Sequence, residues 1–183
     1  MTSPPPGRQS VYAIKDDGTS IAANVLRTTL TVRTLSDENA SGERNLAGGA
    51  FNWSSNRGWY FDLPLGQQAN TDSAAAYGML VLTTNQAQMN DCSASSYIYV
   101  VDVTSGLNVA TGWNFADGGS GSSYAMRRLS THRTASAVGV QLGDTGKLIG
   151  TCRFSDAQAC RESLPNMYAV QPRKNAWRQV RRQ

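Results

Sequence analysis

The chain has 183 residues, a length that suits one domain with a buried core. Hydrophobic residues make up 40% and charged residues 16%, and small polar residues are abundant, which is typical of short strands joined by many turns and argues against a long helical bundle. The net charge of +4 comes from the terminal segment 173–183, so the rest of the chain is near neutral and lacks the basic excess of a nucleic-acid-binding protein.

The two ends of the chain differ from its middle. The start, MTSPPPGRQS, has no apolar run that could serve as an export signal, and no stretch approaches the roughly twenty apolar residues that span a bilayer. We expect a disordered or linker start over 1–8, one β-rich region over 9–183, and a basic tail over 173–183. The tail is interpreted either as a solvated, frayed terminus or as a contact for an acidic partner. Because a strand pattern begins just after Pro6, the chain is expected to be part of a longer protein.

Short strands are predicted along most of the sequence. Beyond the tyrosine-bearing segments described below, the candidates are VLRTTLTVRTL from residue 25, AYGMLVLTT from 76, SAVGVQL from 136 and KLIGTCRF from 147. The run YIYVVDVTSGLNVATGW is predicted to form a hairpin, because its strand ends at Asp102 and Gly106 allows a positive φ in the turn. ASGERNLAGG and NFADGGSGSS are predicted to be loops.

The run RGWYFDLPLGQQ, residues 57–68, is the most aromatic strand candidate. Trp59, Phe61 and Leu63 alternate with Gly58, Tyr60 and Asp62, a period of two that is typical of a strand. Since both faces carry aromatic rings, the run is interpreted as the wall of a core, with a binding surface as the alternative. Asp62 must then find a hydrogen-bond donor or lie at the rim.

Four segments share a strand with a tyrosine, a polar turn and a short link. They are SVYAIKDDGTS, RGWYFDLPLGQ, SYIYVVDVTSG and NMYAVQPRKNAW, with Tyr12, Tyr60, Tyr99 and Tyr168 separated by 48, 39 and 69 residues. Such a period is typical of β-propeller blades. The predicted fold is therefore all-β, with antiparallel four-stranded blades of a partial β-propeller.

Three cysteines bear on the environment of the protein. Cys152 and Cys160 are separated by seven residues, a spacing that lets a tight loop close, so a disulfide in an oxidising compartment is predicted. Buried thiols are the alternative, and a metal site is less favoured because no second cysteine motif or histidine pair accompanies them. Cys92 has no assigned partner.

The sequence offers little that is typical of catalysis. His132 is the single histidine and lies in a basic polar stretch with no nucleophile signature nearby, so it is interpreted as a surface loop residue. Asp16 and Asp17 are adjacent before Gly18, which favours a β-turn over a calcium loop with alternating ligands. We predict no enzyme, no catalytic residue, no metal and no cofactor.

The order of motifs resembles the C-terminal β-propeller of the PilY family, the type IV pilus biogenesis factors and tip adhesins of Gram-negative bacteria. The resemblance rests on QSVYAIKDDG, RGWYFDLP, LVLTTNQAQMNDCSASSYIYVVDVTSG and NAWRQVRR, which span about residues 9–182. The chain departs from the family after the GWY strand, where Gln67 and Gln68 replace Glu and Arg, and near the end, where Gln179 replaces an acid after Trp177.

The resemblance implies a role at the pilus in the periplasm, outer membrane or cell surface. It implies pilus components, or an N-terminal part of the same protein, as partners, and no nucleic acid. Trp59, Tyr60, Tyr99, Asp102 and Trp177 are then structural residues of the blades. The family's calcium loop is not found in this sequence.

Two other functions are considered. The first is a stand-alone extracellular module that binds glycan or peptide through exposed aromatics in loops, such as Trp53, Trp59 and Trp113. The second is a quinone-dependent propeller enzyme, suggested by YVVDVTSG, which would require more blades than the chain holds.

Overall fold

The computed structural model describes residues 7–22, 25–88, 93–109, 124–142 and 148–164, which form three β-sheets and a single turn of helix. The predicted all-β class is confirmed. In chain order the elements are β1 Ser10–Ile14, α1 Leu26–Thr29, β2 Thr31–Leu35, β3 Glu43–Arg44, β4 Leu46–Ala47, β5 Gly58–Asp62, β6 Gln67–Gln68, β7 Ala74–Ala76, β8 Met79–Ala87, β9 Ala94–Asp102, β10 Met126–Ser130, β11 Gly139–Leu142, β12 Leu148–Arg153 and β13 Ala159–Leu164.

Sheet 1 has four strands in the order β1-β5-β2-β4. The aromatic strand β5 lies at its centre, antiparallel to β1 and parallel to β2. The prediction of a purely antiparallel four-stranded blade is therefore wrong for this sheet. The parallel pair is possible because the segment 36–57, which contains β3 and β4, separates β2 from β5 along the chain and provides the long crossover that parallel strands need.

Sheet 2 is built around a long antiparallel pair, β8 and β9, each of nine residues. Their register runs from Met79 opposite Asp102 to Ala87 opposite Ala94, and the sheet order is β3-β10-β9-β8-β6, with β7 also paired to β8. β9 ends as predicted at Asp102, and the following turn places Gly106 at a φ of 69° before Asn108 pairs back to Val101. The predicted hairpin is thus confirmed as far as Val109, where the described segment ends.

Sheet 3 is antiparallel, with the order β11-β12-β13. Its contribution to the core comes from Leu148 on β12, which is fully buried against β8 and β9 together with Val138. The predicted strands from 136 and 147 correspond to β11 and β12.

Sheet 2 is packed on both faces. One face carries Leu82, Tyr99 and Val101, which contact Trp59 and Phe61 of sheet 1 in one apolar cluster. The opposite face carries Val81, Ile98 and Val100, which contact Val138 and Leu148 in a second cluster. The described residues are therefore arranged as three layers with sheet 2 in the middle, and no closed barrel or propeller ring is identified among them.

Two local predictions differ from the structure. The strand expected from Val25 begins instead with α1, because Thr28 and Thr29 donate side-chain hydrogen bonds of 2.9 and 2.8 Å to the Val25 carbonyl and close a turn. The loop predicted over 40–49 contains β3 and β4. β3 forms by pairing with the distant strand β10 and β4 by pairing with the nearby strand β2, and composition does not reveal either pairing.

The tyrosine repeat is also corrected. Tyr12 lies directly opposite Tyr60 in the pairing of β1 with β5, so the first two tyrosine-bearing segments belong to one sheet and are not separate blades. Tyr99 belongs to sheet 2. Tyr168 lies outside the described residues.

We predict that Trp59→Ala lowers the free energy of unfolding by about 3–5 kcal/mol, the usual cost of truncating a buried aromatic residue. Trp59 is fully buried between sheets 1 and 2 and donates a hydrogen bond of 3.0 Å to the Val103 carbonyl. Urea unfolding followed by circular dichroism measures the loss. The control is Trp53→Ala, where the side chain is half-buried and the cost should be smaller. Equal costs for both variants would contradict the placement of Trp59.

Candidate functional site

Strand β5 divides its side chains between a core face and an outer face. Trp59 and Phe61 point into the core and Tyr60 and Asp62 to the outer face of sheet 1. The interpretation of this run as a core wall is confirmed on the inner side. The outer side is part of a surface that the sequence did not indicate.

Asp62 finds the donors that its position requires. It accepts hydrogen bonds of 2.8 and 2.7 Å from Nη2 of Arg27 and one of 2.6 Å from Oγ of Ser10. The Arg27 hydrogen bond, helped by Ser10, holds the pKa of Asp62 below its usual value, although partial burial opposes this. Arg27 also lies 4.4 Å from the centre of the Tyr60 ring, so the cation and the ring are stacked.

The outer face of sheet 1, defined by Tyr12, Ile14, Val32 and Tyr60, exposes three apolar side chains around Tyr60, which is 8% exposed and lies beneath Arg27. Tyr12 and Val32 lie opposite Tyr60 on its two neighbouring strands, and the rings of Tyr12 and Tyr60 stack with centroids 5.7 Å apart. Val32 is 52% exposed and Ile14 48% exposed. Exposed large aliphatic side chains on one face of a regular sheet are typical of a surface that another element covers.

Two side chains of strand β2 lie on the faces that their polarity does not favour. In TVRTL, Leu35 packs against the core, yet Val32 is 52% exposed on the outer face and Arg33 is 1% exposed on the inner face. Because side chains alternate between faces, both follow from a single choice of register. The register gives this sheet an apolar outer surface and a buried cation.

The buried cation lies next to a cavity of about 260 Å³ between the carboxyl ends of β2 and β5. We call this the arginine cavity. It is lined by Arg8, Val32, Arg33, Thr34, Leu35, Arg44, Asp62, Leu63 and Pro64. The lining thus includes three arginines and one aspartate as well as apolar side chains, while the Arg33 guanidinium itself lies against the Gly49 carbonyl and 5.5 Å from the Phe51 ring.

The remaining predicted structural residues have local roles. Tyr99 is fully buried and donates a hydrogen bond of 2.7 Å to Gln67, which also accepts from Thr84, and burial raises the pKa of the Tyr99 hydroxyl. Asp102 accepts hydrogen bonds from the backbone amides of Thr104 and Ser105 and so closes the turn after β9. Trp177 lies outside the described residues.

Trp53 and Trp59, the two tryptophans of the binding-module hypothesis that the structure describes, do not form a shared surface. Trp59 is buried in a strand, which corrects its assignment to a loop. Trp53 is half-buried, donates a hydrogen bond of 2.8 Å to the Thr104 carbonyl and packs edge-on against Phe51. Trp113 lies outside the described residues.

The candidates for chemistry are dispersed. His132 is exposed, as expected for a loop residue. Asp16 and Asp17 form the predicted turn with Gly18 at a φ of 74°, and Asp17 pairs with Arg57 at 2.9 Å. Within the described ranges, no three His, Cys, Asp or Glu side chains are grouped as metal ligands, and no helix there has the length and apolar character to cross a bilayer.

Cys152 and Cys160 face each other across β12 and β13, with Cα atoms 5.0 Å apart and both side chains buried. The pair is at disulfide-bonding distance. They pack with Ala135, against which Phe154 and Leu129 also lie. Cys92 lies outside the described residues.

Comparison with protein-family models, with curated proteins and with solved structures gives no match to this chain.

The sequence reasoning missed the outer face of sheet 1 and the arginine cavity. For the first, the sequence shows only an apolar Val32 between Thr31 and Arg33 in a strand candidate, and this pattern does not indicate that Val32 is exposed. The signal for the second was Arg33 in the middle of a strand, which pattern reasoning places in solvent. Neither could be corrected without the register between β2 and β5.

We predict that Cys152 and Cys160 are joined when the protein is produced in an oxidising compartment. Proteolytic digestion without reductant should then yield one linked peptide that separates after reduction, which provides the internal control. Closing a loop of this size stabilises a fold by about 2–3 kcal/mol, so reduction should lower the denaturation midpoint. Recovery of both cysteines in alkylated form without reductant would contradict the prediction.

We predict that the Arg27–Asp62 pair makes stability depend on pH. The pKa of Asp62 is lower in the folded state, so its contribution is complete above the unfolded value of about 3.9 and is lost as the pH falls through the folded pKa. Asp62→Asn should therefore lower the urea midpoint at about pH 6, and the difference from wild type should shrink toward about pH 2. The control is Asp72→Asn at an exposed carboxylate. A difference for Asp62→Asn that is equal at both pH values would contradict the role of the ion pair.

Proposed function

We propose that this chain is a non-enzymatic part of a type IV pilus biogenesis factor similar to the PilY family. In this proposal its sheets are successive blades of an incomplete β-propeller, and the outer face of sheet 1 packs against a further sheet of the same protein. The protein would act in the periplasm, at the outer membrane or at the cell surface, where it supports pilus assembly and surface attachment.

The observation that carries the proposal is the outer face of sheet 1. Sheet 1 is the outermost described layer on its side, and it still presents Ile14, Val32 and the Tyr12 ring to solvent around the buried Tyr60, on which Tyr12 stacks. The covered interface between sheets 1 and 2 is also aromatic, with Phe61 stacked on Tyr99 at 5.8 Å. The outer face of sheet 1 carries the same kind of side chains as its inner face, which sheet 2 covers. A further sheet is therefore the element that we expect to cover the outer face.

The layered order along the chain supports the propeller more than a two-layer sandwich. Most of sheet 1 precedes sheet 2 in sequence and sheet 3 follows it, and each sheet packs on its neighbour in that order. Blades of a propeller are arranged in this way. The parallel pairing of β2 with β5 differs from a regular blade, so sheet 1 would be an irregular one.

Two further features are compatible with a role outside the cytoplasm. The pairing of Cys152 with Cys160 across two strands would be stable in an oxidising compartment. The near-neutral body, apart from its basic tail, does not favour a nucleic-acid partner. No specific observation in the described residues favours the glycan- or peptide-binding alternative or a quinone enzyme.

We predict that the isolated chain self-associates through the outer face of sheet 1, because this face lacks the sheet that would cover it in the longer protein. Ile14→Lys combined with Val32→Lys should reduce association by placing charges on the apolar surface. Analytical ultracentrifugation measures the species present, and binding of a hydrophobic dye reports the exposed surface.

The control is Leu65→Lys, which changes a leucine that is 61% exposed and lies outside this face, and it should leave association unchanged. A monomeric wild-type chain with no dye binding would contradict the uncovered-face argument. The biological role is tested separately by deleting the coding segment in the source bacterium, where loss of surface pili is expected. Unchanged piliation and attachment would contradict the pilus function.

A further inference from the structure

We propose that strand β1 pairs antiparallel with β1 of a second copy of this chain, so that two copies of sheet 1 form one continuous sheet. β1 is the first strand in the order β1-β5-β2-β4, and only one of its edges is paired within the described residues. The proposal concerns the other edge, which we call the open edge. It is separate from the outer face of sheet 1 and does not depend on the pilus function.

The hydrogen bonds at the two ends of the β1–β5 ladder show which backbone groups face the open edge. The amide of Leu63 donates to the Gln9 carbonyl at 2.9 Å, and the amide of Lys15 donates to the Arg57 carbonyl at 2.8 Å. Because successive residues of an antiparallel strand direct their backbone groups to opposite sides, the odd-numbered residues of β1 bond to β5. The residues whose amide and carbonyl groups face the open edge are Ser10, Tyr12 and Ile14. These groups have no hydrogen-bond partner within the described ranges.

The open edge lacks the features that usually prevent strand addition. Edge strands are commonly very short, or they carry charged side chains, proline or a bulge. The opposite edge of sheet 1 is the two-residue strand β4. By contrast, β1 has five residues, SVYAI, without a charge, a proline or a glycine. β1 is therefore the edge of sheet 1 at which a further strand can add.

The sequence of β1 fits a second copy of itself. A two-fold axis places the same edge of two copies against each other in antiparallel orientation. With the axis at Tyr12, Ser10 lies opposite Ile14 of the second copy, so all three residues of the open edge form pairs that exchange both hydrogen bonds. Moving the axis by one residue places one of the three opposite a residue outside β1. The register centred on Tyr12 thus uses the whole strand.

The charges that flank β1 are complementary in this register. Arg8 and Asp16 each lie two residues outside the strand, and Arg8 of one copy is opposite Asp16 of the other. The Arg8 side chain is 62% exposed and lies 3.9 Å from Asp62, whose closer partner is Arg27 at 2.7 Å. Asp16 is exposed and forms no ion pair within the described part of the chain. Two opposite-charge pairs would therefore flank the joined strands.

The side chains of β1 also match across the axis. On the inner face, Val11 lies opposite Ala13 of the second copy, and both are half-buried residues that pack against the core. On the outer face, Tyr12 is 37% exposed, stacks on Tyr60 and lies opposite itself. Apolar side chains thus meet on both faces, and such cross-strand pairs stabilise a sheet.

Exchanging the charges tests both the partner and the register. Analytical ultracentrifugation of the full 183-residue chain at low salt should show a dimer that dissociates on dilution. Arg8→Glu and Asp16→Arg should each raise the dissociation constant about tenfold, because each variant creates two like-charge pairs in its own dimer. An equimolar mixture of the two variants should regain the wild-type affinity, since both charge pairs are opposite in the mixed dimer.

Arg153→Glu, a charge reversal at an exposed arginine of sheet 3, is the control and should not change the dissociation constant. A mixture that associates no more tightly than either variant alone would overturn the proposal, because association through the outer face of sheet 1 has no reason to be restored by mixing. A wild-type chain that stays monomeric at the highest concentration at which it is soluble would also overturn it.

Tyr12→Pro tests the open edge of the backbone. Proline here removes the N–H at the axis but none that bonds to β5, so the variant should fold and lose the dimer. The matched control is Tyr12→Val, which also removes the ring but keeps the N–H and should still form a dimer. Circular dichroism checks that both variants fold. Equal dimerisation of the two folded variants would overturn the proposal, and the charge exchange decides if Tyr12→Pro does not fold.

Amide hydrogen exchange distinguishes a second copy from another occupant of the edge. In the dilute monomer the amides of Ser10, Tyr12 and Ile14 should exchange faster than those of Val11 and Ala13, which bond to β5. Their exchange should become slower as the concentration rises and the dimer forms. Slow exchange already in the dilute monomer would show that another segment of the same chain occupies the edge, and this result would overturn the proposal.

Discussion

The structure depends on the double burial of sheet 2. Strands β8 and β9 pair over nine residues and place apolar side chains on both faces, so neither face can meet water without a large loss of burial. Sheet 1 covers one face and sheet 3 the other. At the far end of β8, Asn85 exchanges two hydrogen bonds with the backbone of Ala135, of 3.0 and 2.7 Å, and so attaches the segment that leads into sheet 3.

The same constraint explains the unusual register of sheet 1. Trp59 and Phe61 must face sheet 2, and the parallel pairing of β2 with β5 then turns Arg33 inward and Val32 outward. Val32 is exposed and Arg33 is buried, the opposite of what their polarity favours. Such departures are expected where a function or a further contact compensates for their cost. Under the proposed function, another sheet would cover the exposed Val32, whereas the buried Arg33 donates one hydrogen bond to the Gly49 carbonyl and lies over the Phe51 ring.

Local features of the fold could be predicted from the sequence, whereas pairings between distant segments could not. The strand at Trp59, the turn after Asp102 and the closeness of Cys152 and Cys160 each depend on a few neighbouring residues whose chemistry is specific. The pairing of Tyr12 with Tyr60 joins strands 48 residues apart and makes one sheet of what looked like two repeat units. The candidate site was missed for the same reason, because the facing of Val32 and Arg33 depends on register and not on their own polarity.

Amide hydrogen exchange of the native chain tests the layered arrangement most directly. If sheet 2 is covered on both faces, the amides of β8 and β9 should exchange most slowly, with protection close to that of global unfolding, and those of β1 should exchange faster because β1 is an edge strand with an exposed outer face. Slow exchange in β1 together with fast exchange in β8 and β9 would contradict the account.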